Sequence, residues 1–205
     1  MTAENLKSPT VTNLDAQPVV VATAGEGAPG MYRVLTDYTL PTAAAGSATG
    51  NSYRLARFPT NAKIKRVWLY TKGLDSNATA TLALDVNVAF SDSTVDGTPS
   101  SLQGTIPTTA NNGTVTTLAA YSTPNNLFGT HIVANSGAAR ELDITFTGTL
   151  TPANQNDDLW NVFGFTNSAG LAQDPGGMFD ILVVVSATAA TAATGTLAVE
   201  VDFVV

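Results

Sequence analysis

Residues 78–90 read ATATLALDVNVAF. Leu82, Leu84, Val86, Val88 and Phe90 recur two apart, with Thr79, Thr81, Asp85 and Asn87 on the opposite parity. Successive side chains of an extended chain point to opposite faces, so this spacing predicts a strand with one buried face and one wet face. A helix would scatter the same apolar residues around its circumference. Two other stretches share the period. Leu142, Ile144 and Phe146 alternate with Glu141, Asp143, Thr145 and Thr147, and Leu197, Val199, Val201, Phe203 and Val205 alternate with Thr196, Glu200 and Asp202. Residues 179–185, FDILVVV, are apolar on both faces, which predicts a central strand covered on both sides, or one covered by a neighbouring subunit. This run and the one over 197–205 are expected to pair as a hairpin across residues 189–195.

Residues 31–40, 53–58 and 64–71 read as further strands, and long loops of Gly, Ser, Thr, Asn and Pro separate the elements at 91–112, 122–129, 149–158 and 167–177. A short helical turn fits only 156–163, with Asn156 as its cap. Roughly eight to ten strands with long connections predict an all-β fold, an antiparallel β-sandwich that is jelly-roll-like. A single domain over 31–205 is expected, preceded by an extended N-terminal arm over 1–30. The arm is rich in Thr, Ala, Pro, Asn and Gly, with one apolar run at 18–22 and a breaker cluster, GEGAPG, at 25–30. It reads either as a frayed tail or as an arm that orders on a partner.

Charge is distributed unevenly. Residues 1–72 carry eight Lys/Arg against four Asp/Glu, and residues 73–205 carry one against twelve. An acidic chain of net charge −7 lacks the general positive potential that phosphate binding needs, so nucleic acid is not an expected partner. No run of eighteen apolar residues is present for a membrane span, and MTAENLKSPT lacks the basic start and apolar middle of a signal peptide. Synthesis in a cytoplasm and no membrane partner are the expectations. With no cysteine, disulfides, thiolate nucleophiles and Cys-based zinc sites are excluded, and stability must come from burial and contacts with other chains.

Residues 53–72, YRLARFPTNAKIKRVWLYTK, hold Arg54, Arg57, Lys63, Lys65, Arg66 and Lys72, six of the nine basic residues. Alternation over 64–72 places Ile64, Arg66, Trp68, Tyr70 and Lys72 on one face and Lys65, Val67, Leu69 and Thr71 on the other, with Val67 and Leu69 as core. Aromatic and Arg side chains are the anchors favoured at protein interfaces. The partner-binding candidates are therefore Arg54, Arg57, Lys63, Lys65, Arg66, Trp68, Tyr70 and Lys72. Two other readings of the strip are that Trp68 packs under a loop with its cations snorkelling outward, and that bases stack on Trp68 and Tyr70. Such a strip could meet an acidic surface of another protein or the acidic face of a second copy.

Catalytic chemistry has no foothold in the sequence. His131 is the only histidine, which excludes a two-histidine metal cluster within the chain, and no GxSxG places a serine at a nucleophile elbow. Asn87, Asp92 and Asp96, or Asn154, Asn156, Asp157 and Asp158, could offer oxygen ligands to calcium, but neither group has EF-hand spacing. GEGAPG has the glycine spacing of a nucleotide loop but is followed by a strand rather than the required helix. The expectation is a non-enzyme without cofactor or metal.

An N-terminal arm, DYTLP at 37–41, a Gly/Ala-rich loop, YRLARFPTNAKIKRVWL at 53–69 and a run of alternating Thr/Ala/Leu/Val strands together resemble small virion structural proteins of tailed bacteriophages. The similarity is strongest over 31–90. In that group a β-barrel or sandwich protein decorates or cements the capsid shell. The resemblance implies a partner in the major capsid protein, a homo-oligomer (dimer or trimer), location on the virion's capsid surface, and an arm or loops lying across subunit junctions. A tail- or fibre-associated carbohydrate-binding module is the alternative on the same fold.

Overall fold

The computed structural model describes residues 5–7, 31–39, 48–90, 127–165, 170–174 and 176–205. Nine strands lie among them: β1 Asn5–Lys7, β2 Met31–Thr39, β3 Ser52–Pro59, β4 Lys63–Lys72, β5 Ala83–Phe90, β6 Thr130–Ile132, β7 Arg140–Asp143, β8 Met178–Ala187 and β9 Thr196–Val204. They form one sheet ordered β1-β3-β8-β5-β6 and another ordered β2-β9-β4-β7. Apart from the parallel β1–β3 edge, all pairs are antiparallel. The pairs β2–β9, β3–β8, β4–β7 and β5–β6 nest inside one another along the chain. A strip of eight strands folded back on itself and rolled into two sheets is a jelly roll, as the period-two pattern predicts.

The opening stretch buries its apolar parity as its spacing says: Leu82, Leu84, Val86 and Val88 are in the core, and β5 lies beside β8. Its other face is not uniformly wet, since Asn87, expected there, is buried, as are Ala83 and Ala89. β8 is central, between β3 and β5, and is buried on both faces from Phe179 to Val185. Between the sheets, Phe58, Phe163, Phe165, Phe179 and Phe203 form a chain of rings with centroids 5.6–6.4 Å apart. Truncating one such buried ring to Ala costs about 3–5 kcal/mol, because transfer and cavity terms add.

Four expectations are corrected. First, β8 and β9 do not pair as a hairpin. Both flanks of β8 are occupied by β3 and β5 and both flanks of β9 by β2 and β4, so residues 188–195 cross from one sheet to the other. Second, Ile64 is not on the outward face. Opposite the step from Phe203 to Asp202, β4 advances from Ile64 to Arg66, and this bulge at Lys65 turns Ile64 and Val67 alike into the core. Third, the alternation over 141–147 stops at Asp143, whose carboxylate accepts from the Thr145 N–H (3.1 Å) and hydroxyl (2.6 Å). That turn buries Thr145 and leaves Phe146 exposed. Fourth, the helical turn is the short helix α1, Leu159–Val162, with Asp158 rather than Asn156 at its N-cap; Asn156 ends a preceding 3-10 turn, Pro152–Asn156. α1 docks on the β3–β4 corner through Leu159 N–H to Ala62 O and Trp160 N–H to Thr60 O.

Of the arm over 1–30, only Asn5–Lys7 is described, as the strand pairing with Ser52–Arg54; the apolar run at 18–22 and GEGAPG lie outside the described residues. Among the described residues no helix is long and apolar enough to cross a membrane.

Candidate functional site

The corner at Pro59–Ala62 sends β3 into one sheet and β4 into the other, so the basic strip is not one surface. Arg54 and Arg57 are buried, on a strand whose register sets them beside Leu182 and Asp180 of β8. Arg57 donates from Nε (2.6 Å) and Nη2 (3.0 Å) to the two oxygens of Asp180, and Arg54 Nη1 donates to Oδ2 (3.1 Å). Asp180 is itself fully buried. Buried charges persist only when paired and hydrogen-bonded, and removing one member of such a group costs about 3–5 kcal/mol. These two arginines hold β3 to β8.

Lys63 and Lys65 serve the connection between β7 and β8. Lys65 Nζ donates to Gln155 O and Asn156 Oδ1, both at 2.8 Å, and Lys63 Nζ lies 3.6 Å from Asp158 Oδ1. The oxygens considered for calcium at 154–158 are thus engaged. Asn154 accepts from the Thr151 hydroxyl and donates to Asp157, Asn156 takes Lys65, and Asp158 faces Lys63. Asp92 and Asp96 lie outside the described residues.

Arg66, Trp68, Tyr70 and Lys72 share the outer face of the four-stranded sheet. Cross-strand register sets them against Asp202, Glu200, Ala198 and Thr196 of β9, and sets Trp68 and Tyr70 against Asp143 and Glu141 of β7. Arg33 of β2 sits on the far side of Asp202. Among the described side chains, three cations, Arg33, Arg66 and Lys72, therefore share this face with four carboxylates, Glu141, Asp143, Glu200 and Asp202. The negative charge expected on a partner is largely supplied by neighbouring strands. Arg33 donates from Nε (2.8 Å) and Nη2 (3.1 Å) to Asp202, and its Nε is 3.0 Å from Glu200. Asp202 and then Glu200 hold the Arg33 guanidinium above its ordinary pKa. Arg66 lies 4.7 Å over the Trp68 ring and 3.6 Å from Asp143. Trp68 stacks on Tyr70 with centroids 6.4 Å apart.

The Tyr70 hydroxyl donates to Glu200 at 3.3 Å. Burial, followed by the charges of Glu200 and Glu141, raises its pKa. For Asp143, burial works upward but is outweighed by the Thr145 donors and Arg66, so its carboxyl titrates below the ordinary range. Arg33, Arg66, Tyr70, Asp143, Glu200 and Asp202 all have partners within the chain, which makes this part of the face a preorganised plate of aromatic and charged side chains. Such a plate can dock a protein surface without first ordering its own side chains.

His131 sits in β6, with Nε2 2.7 Å from the Phe128 carbonyl and 3.4 Å from the Thr147 hydroxyl, a structural bond within its own loop. Among the described residues no group of three or more His, Cys, Asp or Glu could hold a metal ion. A polar residue that sequence reasoning missed is Asp75, fully buried just after β4. Its carboxylate accepts five backbone N–H bonds, from Asn77, Thr81, Leu82, Ala190 and Thr191, at 3.0–3.3 Å. Burial alone would raise its pKa; the N–H donors, those of Thr81, Thr191, Asn77 and Ala190 above all, bring it down to about 2. Asp75 ties the β4–β5 connection to the crossing between β8 and β9.

No protein-family model matches the sequence, and neither does any curated protein sequence. Among solved structures, a chain titled "Capsid of Ralstonia phage GP4" is similar over 97% of this chain and 97% of its own, with a TM-score of 0.54 and 18% identity. A chain titled "Cyanophage Pam1 capsid asymmetric unit" is similar over 93% of this chain and 96% of its own, with a TM-score of 0.40 and 15% identity, too distant to carry an argument. At this identity the first similarity establishes a shared fold.

Proposed function

We propose that this chain is a non-enzymatic structural protein of a phage particle, one that binds the outer face of the capsid shell and stabilises it as a decoration or cement protein. The observation that carries the reading is the end-to-end similarity to a phage capsid chain, over 97% of both chains. The match runs nearly the full length of both chains and is not confined to one segment of either. The charged side chains support it too. Arg54, Arg57 and Asp180 lock strands together, Lys63 and Lys65 pin a connection, and Asp75 ties two loops, whereas the plate of the four-stranded sheet faces outward.

The mechanism is physical. The plate bearing Arg66, Trp68, Tyr70 and Lys72 adds buried area across joints between major capsid subunits, and many symmetric copies multiply a modest single-site affinity. The carbohydrate-binding alternative gains nothing from the geometry, since Arg66 already occupies a face of Trp68 that a sugar ring would need. Purified chain mixed with capsids stripped of it should co-sediment stoichiometrically at low salt. The double variant Arg66→Glu with Trp68→Ala should bind about tenfold more weakly or worse. No co-sedimentation of the native chain would sink the proposal; unaltered binding of the double variant would move the contact away from this plate.

A further inference from the structure

Two sheets have four edges, and three of them are short. β1 and β6 have three residues each and β7 has four. The fourth edge, β2, has nine residues and pairs with β9 continuously from Met31–Val204 to Thr39–Thr196, without a bulge. It contains no Pro and no Lys. Natural sheets blunt their free edges by shortness, bulges, Pro, charged side chains (Lys above all) or a covering loop or helix, because an open row of N–H and C=O groups templates pairing with another strand. β2 is neither short, bulged nor proline-bearing, and its two charges, Arg33 and Asp37, are opposite in sign and so do not repel a second copy laid antiparallel. At its midpoint Leu35 is 60% exposed, and among the described residues β2 has a hydrogen-bonded neighbour on the β9 side only.

From this edge we infer that two copies of the chain associate by antiparallel pairing of β2 with β2, on a two-fold axis through Leu35. The sequence MYRVLTDYT is self-complementary about that residue. In this register Leu35 falls opposite Leu35 of the second copy, and Arg33 falls opposite Asp37, twice by symmetry. Directly opposed apolar and opposite-charge residues are the pairs that stabilise an antiparallel ladder, and like charges directly opposite destabilise it. A one-residue slip in register would lose both matches. Arg33 spends Nε and Nη2 on Asp202, with Glu200 also 3.0 Å from Nε, and a guanidinium has five N–H donors, so donors remain for a further carboxylate. The product is a continuous eight-stranded sheet with an isologous interface, the kind that closes as a dimer. It is a property of the free chain and does not rest on the capsid reading.

The natural absence of cysteine makes the register directly readable. Opposed residues of an antiparallel pair have Cα atoms about 4.5–5.5 Å apart, within disulfide reach. Under mild oxidation, Leu35→Cys should therefore link to itself. Arg33→Cys and Asp37→Cys should each fail to link alone and should link when mixed. In sedimentation velocity the native chain should show a concentration-dependent dimer, and Leu35→Lys should weaken it by about tenfold or more while leaving the melting temperature of the monomer unchanged. A native chain that stays monomeric throughout, a Leu35→Lys dimer as tight as the native one, or cross-linking that ignores position would each overturn the inference. If Leu35→Lys proves unfolded, the three cysteine variants still decide it.

Discussion

Five backbone N–H groups converge on the carboxylate of Asp75, and they come from two separate connections: three from residues 77–82 and two from residues 190 and 191. Its folded pKa of about 2 lies below the ordinary 3.8, so the native state binds fewer protons than the unfolded chain as pH falls through this range. The stability it supplies is therefore complete above about pH 4 and is lost as pH falls from 4 to 2. Replacing it by Asn should cost about 3 kcal/mol in urea unfolding at neutral pH, because the amide offers a donor where donors already point. The gap between native and variant should close towards pH 2; a gap that stays constant with pH would show that the carboxylate is not the group at work. Residue chemistry of this kind is scarcely legible beforehand. Asp75-Ser76-Asn77 could have been read as a turn, but nothing in the chain marks Ala190 and Thr191 as donors. Likewise, a count of cations could not tell Arg66, which faces outward, from Arg54 and Arg57, whose carboxylate lies more than a hundred residues further on.

Elements were legible where burial is one-sided. The alternating runs at 82–88 and 197–203 placed their apolar residues in the core, and the doubly apolar run at 179–185 proved central. Pairing was not legible, because period two states which face is buried and not which strand lies alongside. Hence β8 and β9, adjacent in the chain, were expected together and belong to different sheets. The bulge at Lys65 was hidden for a related reason: one inserted residue shifts parity without altering composition. The crossing after β8 depends on Gly195, where an added Cβ would run into Lys72 O and lie 2.6 Å from the Gly73 carbonyl carbon. Both obstacles are backbone, which cannot rotate away. Gly195→Ala should lower stability by about 2–3 kcal/mol, read as a fall in melting temperature. A melt indistinguishable from the native one would mean that the β4–β5 and β8–β9 connections do not approach so closely.

At the scale of the whole molecule, strand number and loop length were enough for the jelly roll, since a chain that alternates strand and turn without amphipathic helices has few other ways to bury one face of every strand. The charge asymmetry of the sequence does not become a uniformly basic surface in the fold. Most of the basic residues of 53–72 meet their carboxylates, or carbonyl and amide oxygens, inside the chain, so the outward plate is mixed in sign rather than basic. In the proposed role, this mixed plate is the surface that docks on the shell. The most direct test of the proposed capsid role is the copy number of this chain in purified phage particles from cells that produce it, by quantitative gel, with surface proteolysis to locate it. The account predicts hundreds of copies per particle, exposed on the outside of the shell and removed together with the shell's added stability. Absence from the particle, or a handful of copies confined to the tail, would contradict it.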